Sequence, residues 1–271
     1  MHGDTEARDA PGAGGARVVW GGHATVRIDM DGVRLLTDPL LVGRIGHLRR
    51  VVPVPPGLTE DVDAVLVSHV HRDHLDLPTL RRIAPEVPVI APAGARRVVA
   101  RADCPTIVEL VPGQETTVGD VRVRATPAAH RGGRMGAGGA GLAVGFVLEG
   151  TAAVYFAGDT DLFPEMEALA DPLDLALLPV GGWSPHLGPG HLDAMRAAEA
   201  LARCGARIGV PIHWGTYAPL GVPRGARYLH DPGPDLRRIA ASVAPDAEVR
   251  VLAPGVPLHL PPRATAPPGA G

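Results

Sequence analysis

Residues 64–74 read AVLVSHVHRDH, and this stretch carries most of the information about the fold of the chain. Its first four residues are small or branched and apolar, which predicts a short buried β-strand. Four potential metal ligands follow, namely His69, His71, Asp73 and His74. In an extended backbone, side chains two residues apart point to the same side, so His69 and His71 can share one metal ion. Asp73 and His74 follow as the chain turns and can serve a second ion nearby.

The alternative interpretation of this motif is a solvated helix start with Asp73 as its cap. With 12 histidines among 271 residues, three of them in one short window are rarely accidental, so we favour metal binding. The position agrees, because loops that follow strands of a rigid sheet commonly carry ligands and catalytic groups. Cys104 and Cys204 are too few for a four-thiolate zinc site, so any metal must be held by His and carboxylates.

Charge and composition narrow the function classes. The chain has 26 basic and 29 acidic residues, for a formal net charge of −3, which predicts no nucleic-acid partner. It contains no lysine, which excludes Schiff-base and P-loop chemistry. No apolar run approaches the roughly 18 residues needed to cross a bilayer, which predicts no transmembrane segment. The first residues lack the basic and apolar regions of a secretory signal, so we expect a cytoplasmic protein.

Glycine and proline mark the domain boundaries. They crowd residues 1–16 and 261–271, which we expect to be disordered tails around one α/β domain at 17–260. Apolar runs predict strands at 17–20, 25–30, 33–37, 64–67, 121–126, 143–148, 153–157, 175–179, 208–211 and 249–252. Helical patterns lie at 77–83, 94–100, 163–169, 192–203 and 236–243, and Gly205 is placed to end the fourth. Asp31-Gly32 predicts a two-residue hairpin turn.

Three more candidate ligands each follow a predicted strand. They are His130, Asp159 and His213. Alone, His130 could be an ordinary loop residue, and Asp159 could be a plain Gly-Asp turn. Together the three would give each of two metal ions a third ligand and add a carboxylate able to bridge both.

The order of these residues resembles the metallo-β-lactamase fold superfamily of binuclear hydrolases. Four segments resemble a narrower branch of it: LTDP at 36–39, DAVLVSH at 63–69, FAGDT at 156–160 and IHWGT at 212–216. That branch includes the phospholipase D that acts on N-acylphosphatidylethanolamines and the bacterial ascorbate-6-phosphate lactonases. The resemblance spans about residues 17–260 and implies an α/β fold, a four-layer αββα sandwich with the metals at one edge of the two sheets.

The resemblance also implies roles for individual residues. One metal ion would be held by His69, His71 and His130. The other would be held by Asp73, His74 and His213, and Asp159 would bridge the two ions.

Three residues would act around these ligands. Asp38 would support the site from behind the ligands, with a simple turn before Pro39 as the alternative, and His23 resembles a position near the site. His191 matches an active-site histidine of the phospholipase branch, with helix capping as the alternative. Asp73 and His191 are therefore the candidate catalytic residues.

Such a site favours hydrolysis of a small molecule. Two dications would bind a bridging hydroxide at neutral pH, and their excess positive charge favours an anionic, ester-type substrate such as a phosphodiester or a sugar-phosphate lactone. Zn²⁺ is the expected metal, with Mn²⁺ or Fe²⁺ as alternatives. The alternative function is a non-hydrolytic metal-binding protein or a mononuclear iron oxygenase on the same scaffold, which would not need a complete second ligand set. The sequence does not determine whether the protein forms a homo-oligomer.

The glycine-rich run at 132–141 has two interpretations. Glycines leave a flexible backbone directly after His130, which is typical of a mobile flap over a site. The alternative is an insertion that does not affect function.

Overall fold

The computed structural model describes residues 14–83, 86–132, 141–170, 172–184 and 186–263. Its strands are β1 (Ala16–Gly22), β2 (Thr25–Met30), β3 (Val33–Thr37), β4 (Arg44–Ile45), β5 (Leu48–Arg50), β6 (Ala64–Leu66), β7 (Val89–Pro92), β8 (Ile107–Leu110), β9 (Glu115–Val118), β10 (Val121–Pro127), β11 (Val144–Glu149), β12 (Ala153–Phe156), β13 (Leu173–Pro179), β14 (Ala206–Ile212), β15 (Tyr217–Pro219), β16 (Glu248–Val249) and β17 (Pro257–Leu260). Its α-helices are α1 (Leu77–Leu80), α2 (Arg96–Val99), α3 (Ala194–Cys204) and α4 (Pro232–Val243). Three 3₁₀ turns lie at Ala100–Ala102, Pro164–Ala168 and Arg227–Leu229.

The strands form two large sheets and one small sheet. The first has the order β17-β1-β2-β3-β6-β7-β8, and the second has the order β16-β14-β13-β12-β11-β10-β9. In each, one half is antiparallel, and the other half, starting at β3 or at β12, is parallel. The small sheet has the order β15-β5-β4. Parallel strands end at the same edge of a sheet, so the segments that follow β6, β12, β13 and β14 can meet there.

Three groups of buried apolar side chains define the layers. The largest lies between the sheets and joins side chains of both, such as Leu66 of β6 and Phe146 of β11. Another group of buried apolar side chains packs α3 and α4 on the outer face of the second sheet. A further group packs α1 and α2 on the outer face of the first sheet. The layer order is therefore helices, sheet, sheet, helices, which confirms the predicted αββα sandwich.

Local sequence signals explain several elements. Asp31 and Gly32 have φ values of 51° and 77°, as the predicted type I′ turn between β2 and β3 requires. The Asp193 side chain accepts a hydrogen bond from the Arg196 N–H at 2.9 Å and so caps the start of α3. Gly205 ends α3 with a φ of 62°, as predicted. None of the helices among the described residues is long and apolar enough to cross a membrane.

Some elements differ from the predictions. The expected helix at 163–169 is a 3₁₀ turn at Pro164–Ala168, and the expected strand at 249–252 shrinks to Glu248–Val249. β7, β8, β9 and β17 were not predicted, because prolines and polar residues interrupt their apolar pattern. At the domain ends, β1 already includes Ala16, and the Arg263 side chain donates to Asp174 at 2.7 Å. Most of both predicted tails, and residues 133–140 of the glycine-rich run, lie outside the described residues.

Candidate metal centre

All seven predicted ligands meet at one edge of the sandwich. The first sheet contributes the motif from His69 to His74, which follows β6, and the second sheet contributes the other three ligands. His130 follows β10, Asp159 follows β12 and His213 follows β14. The loops of both sheets therefore face each other at this edge.

The first cluster consists of His69, His71 and His130, whose ligand atoms all lie within 4.8 Å of one another. The Nε2 atom of His69 is 2.9 Å from Nδ1 of His71, and Nε2 of His130 is 3.3 Å from the same atom. His69 is buried, while His71 and His130 are half-buried. The first cluster is thus a set of three imidazoles with one open side.

The second cluster consists of His23, Asp73, His74 and His213, again within 4.8 Å of one another. The Nε2 atoms of His74 and His213 are 3.0 Å apart, and Asp73 Oδ2 is 3.8 Å from the latter. The three histidines are at most 2% exposed, so this cluster lies deeper than the first.

Asp159 lies between the two clusters. Its Oδ2 atom is 3.1 Å from His74 Nε2 and 4.0 Å from His69 Nε2, and its Oδ1 atom is 3.3 Å from His213 Nε2. Oδ1 is buried and makes no hydrogen bond. A buried carboxylate oxygen without a hydrogen bond destabilises the fold, and a bound cation at this atom would remove that unfavourable free energy.

Hydrogen bonds at the outer ring nitrogens fix which nitrogen faces the centre. His74 Nδ1 is 2.7 Å from the Asp38 carboxylate, and His213 Nδ1 is 2.9 Å from the Gly181 carbonyl oxygen. Both oxygens accept, so each Nδ1 carries a hydrogen and each Nε2 can offer a lone pair to a metal ion. The two Nε2 atoms lie 3.0 Å apart and would repel unless a positive charge lies between them, either a proton on His74 or a metal ion. The donor set therefore fits divalent metal ions bound by His and Asp.

The first cluster follows the same rule. His130 Nδ1 donates to the Gly190 carbonyl oxygen at 2.8 Å. The Ser68 hydroxyl donates to Asp38 at 2.6 Å and so accepts from His69 Nδ1 at 3.0 Å. His69 and His130 therefore also turn Nε2 lone pairs toward the centre.

Asp38 lies behind the ligands. Its carboxylate accepts hydrogen bonds from the Ser68 N–H at 2.7 Å, the Ser68 hydroxyl and His74 Nδ1. It is fully buried, and burial raises its pKa although the contacts with His74 and Ser68 oppose this. Asp38 is also a turn residue, with a φ of 33°, before Pro39.

The charges of the site follow from burial and from contacts with neighbours. Burial opposes a charge on His74, but Asp159 and Asp38 outweigh it and raise the pKa of His74 well above 6.5. Burial favours protonation of Asp159, yet His213 and His74 hold its pKa well below its usual range. Burial lowers the pKa of His130 to about 4 and that of His23 to about 3. Asp159 is thus ionised and His130 and His23 are neutral, whereas His74 is charged in the metal-free chain and must lose a proton to bind a metal ion.

His191 lies at the edge of the first cluster. Its Nε2 atom is 3.4 Å from Asp159 Oδ2, its Nδ1 donates to the Gly188 carbonyl oxygen at 3.0 Å, and its ring is 4.8 Å from that of His130. The contact with Asp159 raises its pKa. Helix capping, the alternative role of His191, is performed by Asp193 instead.

The sequence did not reveal three carbonyl groups that orient histidines of the site. Gly181, Gly188 and Gly190 belong to one segment, and their carbonyl oxygens accept from His213, His191 and His130 respectively. Gly190 has a φ of 83°, and a Cβ there would lie 3.0 Å from the Ala129 carbonyl oxygen. The Gly188-Pro189-Gly190 sequence was the one available signal, because glycine permits such close approach.

Comparisons with known proteins agree with this geometry. A family model described as a beta-lactamase superfamily domain matches residues 33–214. An N-acyl-phosphatidylethanolamine-hydrolyzing phospholipase D of Caenorhabditis elegans is 30% identical over 260 residues, which cover 86% of this chain and 72% of that protein. A UPF0173 metal-dependent hydrolase of Caldivirga maquilingensis is 30% identical over 256 residues, which cover 89% of this chain and 97% of that protein.

A solved structure shows the same fold. The metallo hydrolase Igni18 of Ignicoccus hospitalis superposes with a TM-score of 0.69 at 21% identity, covering 90% of this chain and 98% of that one.

Proposed function

We propose that this chain, which belongs to the metallo-β-lactamase fold superfamily and is a metal-dependent hydrolase, binds two divalent metal ions. With them it would cleave an ester-type bond in a small anionic substrate. His69, His71 and His130 would hold one ion, Asp73, His74 and His213 the other, and Asp159 both. Zn²⁺ suits this all-nitrogen and oxygen donor set, as do Mn²⁺ and Fe²⁺.

The convergence of two donor clusters on Asp159 carries this proposal. A mononuclear site needs three or four donors, whereas here Nε2 atoms from both clusters surround one carboxylate that has an unpaired oxygen. Its two oxygens face different imidazoles, since Oδ1 lies nearest His213 and Oδ2 lies nearest His74. A carboxylate in this position is suited to bridge two cations.

Bound dications would supply a hydroxide at neutral pH, because they lower the pKa of water to about 7, and would polarise the bond that is cleaved. Because two dications carry more positive charge than Asp73 and Asp159 neutralise, the site favours substrates with a phosphate or carboxylate group. The protein's own part is to orient the ligands through fixed hydrogen bonds and to supply a proton donor.

His191 is the proton donor in this proposal. Its Nδ1 is held by Gly188, so Nε2 carries the second proton when the ring is charged, next to Asp159. The raised pKa of His191 favours that charged form near neutral pH. A proton on Nε2 can be delivered to the leaving oxygen of the substrate, which is general acid catalysis.

Metal counting and a substrate screen test the proposal together. Metal-stripped protein reconstituted with Zn²⁺ or Mn²⁺ should hold close to two ions per chain by elemental analysis, and His213→Ala should hold fewer. The reconstituted protein should hydrolyse at least one class among phosphodiesters, phosphomonoesters, lactones and acyl amides. His47→Ala, an exposed histidine outside the clusters, is the matched control. A reproducible single ion that His213→Ala leaves in place would refute the binuclear site.

A further inference from the structure

His23 is a buried histidine that the seven-ligand set leaves without a role. It lies in the turn between β1 and β2 and is 1% exposed. Its φ of 54° is left-handed, a conformation that is strained for a residue with a Cβ. The neighbouring Gly22 has a φ of 99°, and a Cβ there would lie 2.8 Å from the Arg50 guanidinium. Such strain persists only where the surrounding contacts fix the backbone.

The backbone of His23 is fixed by the loop that follows β14. Its N–H donates to the Thr216 hydroxyl at 2.6 Å, and its carbonyl oxygen accepts from the His213 N–H at 2.8 Å. The same oxygen accepts from the Trp20 indole N–H at 2.9 Å. The turn of the first sheet thus holds the main chain of a ligand that the second sheet supplies.

The side chain of His23 reaches a different ligand. Its Nε2 atom is 3.3 Å from Asp73 Oδ2, and its ring centroid is 3.8 Å from that of His213. An ionised carboxylate only accepts hydrogen bonds, so Nε2 of His23 carries a hydrogen and has no lone pair to offer a metal ion. This arrangement is the reverse of that in His213 and His130, whose Nδ1 atoms donate to carbonyl oxygens and whose Nε2 atoms are bare.

We propose that His23 is a positioning residue which joins the two sheets at the metal centre, by holding Asp73 with its side chain and His213 with its backbone. It is not an eighth ligand. Its effect is to keep Asp73 Oδ2 and His213 Nε2, which come from different sheets, at the separation of 3.8 Å that one cation can span. This role rests on the proposed function, because it assumes that Asp73 and His213 bind one ion.

The tautomer of His23 in the metal-free chain is the first test. Long-range ¹⁵N–¹H correlation spectra of histidine-labelled, chelator-treated protein distinguish rings protonated at Nε2 from rings protonated at Nδ1. We expect His23 to be protonated at Nε2, and His213 and His130 at Nδ1. His23→Leu assigns the signal. A His23 ring protonated at Nδ1 would overturn the proposal and make it a ligand.

Metal affinity gives the second test. His23→Gln keeps a side-chain N–H that can reach Asp73, whereas His23→Leu removes the donor at similar size, and both share the same backbone strain. In chelator competition titrations with Zn²⁺, we expect His23→Leu to weaken one of the two binding steps about 10- to 100-fold and His23→Gln to weaken it much less. His47→Leu is the control on an exposed turn.

Two results would contradict the positioning role. One is equal weakening in His23→Leu and His23→Gln, which would show that the imidazole itself is required. The other is equal weakening of both binding steps, which would show a general loss of fold, and thermal melts of the metal-free variants identify that case. If wild-type protein binds fewer than two ions, the proposed function fails, while the tautomer experiment still decides the hydrogen bond to Asp73.

Discussion

The two clusters of the metal centre differ in depth and in support. In the first cluster, His71 and His130 are half-buried, and the contacts that orient it come from a serine hydroxyl and a glycine carbonyl. In the second cluster, His74 and His213 are at most 2% exposed, and a fully buried carboxylate, that of Asp38, lies behind His74.

This difference leads us to expect that one cluster binds its ion more tightly and that the other is more accessible to substrate. A cluster held by a buried carboxylate is rigid, and it should bind its ion tightly with little rearrangement. The first cluster is more accessible, and His191 lies beside it, 4.8 Å from His130. We therefore expect substrate to approach from the side of the first cluster, where it can meet both a metal ion and a proton donor.

The largest effect should follow from removing the residue that the clusters share. Asp159→Ala deletes the only carboxylate placed between the two clusters among the described residues, so it should lower metal content at both positions and reduce turnover more than about 10²-fold. Elemental analysis and steady-state kinetics measure this. Asp161→Ala, two residues along the same loop and paired with Arg196, is the matched control. Loss of one ion alone would mean that the clusters are independent.

The next largest effect should come from His191, beside the open side of the first cluster. His191→Ala should reduce kcat roughly 10²-fold, in the range of general acid catalysis, while metal content stays normal. The loss should be smaller for substrates with activated leaving groups, because these need no proton. His186→Ala is the control, an exposed histidine in the same segment. Equal losses for activated and poor leaving groups would leave His191 only a binding role.

Support of the second cluster is the third test. Asp38→Asn keeps the shape of the side chain and removes its charge, so it should weaken one binding step about 10- to 100-fold. The other step should weaken less, because Asp38 reaches His69 only through the Ser68 hydroxyl. Chelator competition titrations resolve the two steps. Asp63→Asn, whose side chain accepts from the Arg34 N–H before β6, is the control. If both steps weaken equally, Asp38 supports the whole edge of the sandwich rather than the second cluster.

The smallest effect is the pH dependence of the metal-free chain. Burial lowers the pKa of His69 and His130, so the unfolded state gains protons that the folded state cannot take as pH falls below 6.5. In the second cluster, His74 has a raised pKa and opposes the same trend in His23. Stability should therefore fall from pH 7 to pH 5, chiefly through the first cluster.

Thermal melts in chelator at several pH values measure this trend. We expect His130→Gln to reduce the drop in Tm between pH 7 and pH 5 by about 2–4 °C, the change that 1 kcal/mol produces in a domain of this size. The exposed His259→Gln should leave the drop unchanged. An unchanged drop in His130→Gln would place the acid sensitivity outside the first cluster.

The sequence predicted side-chain features well and backbone features poorly. The run at 64–74 predicted β6 and four side chains that the structure places in or beside the two clusters, because side chains and their spacing are visible in a sequence. β7 was not predicted, because prolines surround its apolar residues. Its strand conformation depends on pairing with β6 and β8, which a local sequence pattern does not show. The carbonyl groups that orient the histidines could not be predicted, because every residue has one.

The orienting carbonyls of Gly181, Gly188 and Gly190 have a consequence for how this scaffold can change over generations. A main-chain oxygen remains when a side chain is exchanged, so substitutions in this segment that keep the path of the backbone leave the three acceptors in place. Trp183 lies in this segment, exposed and packed edge-on against His47. Substitutions such as those at Trp183, made by drift or by library selection, can therefore change the surface beside the candidate centre without removing the groups that orient its histidines.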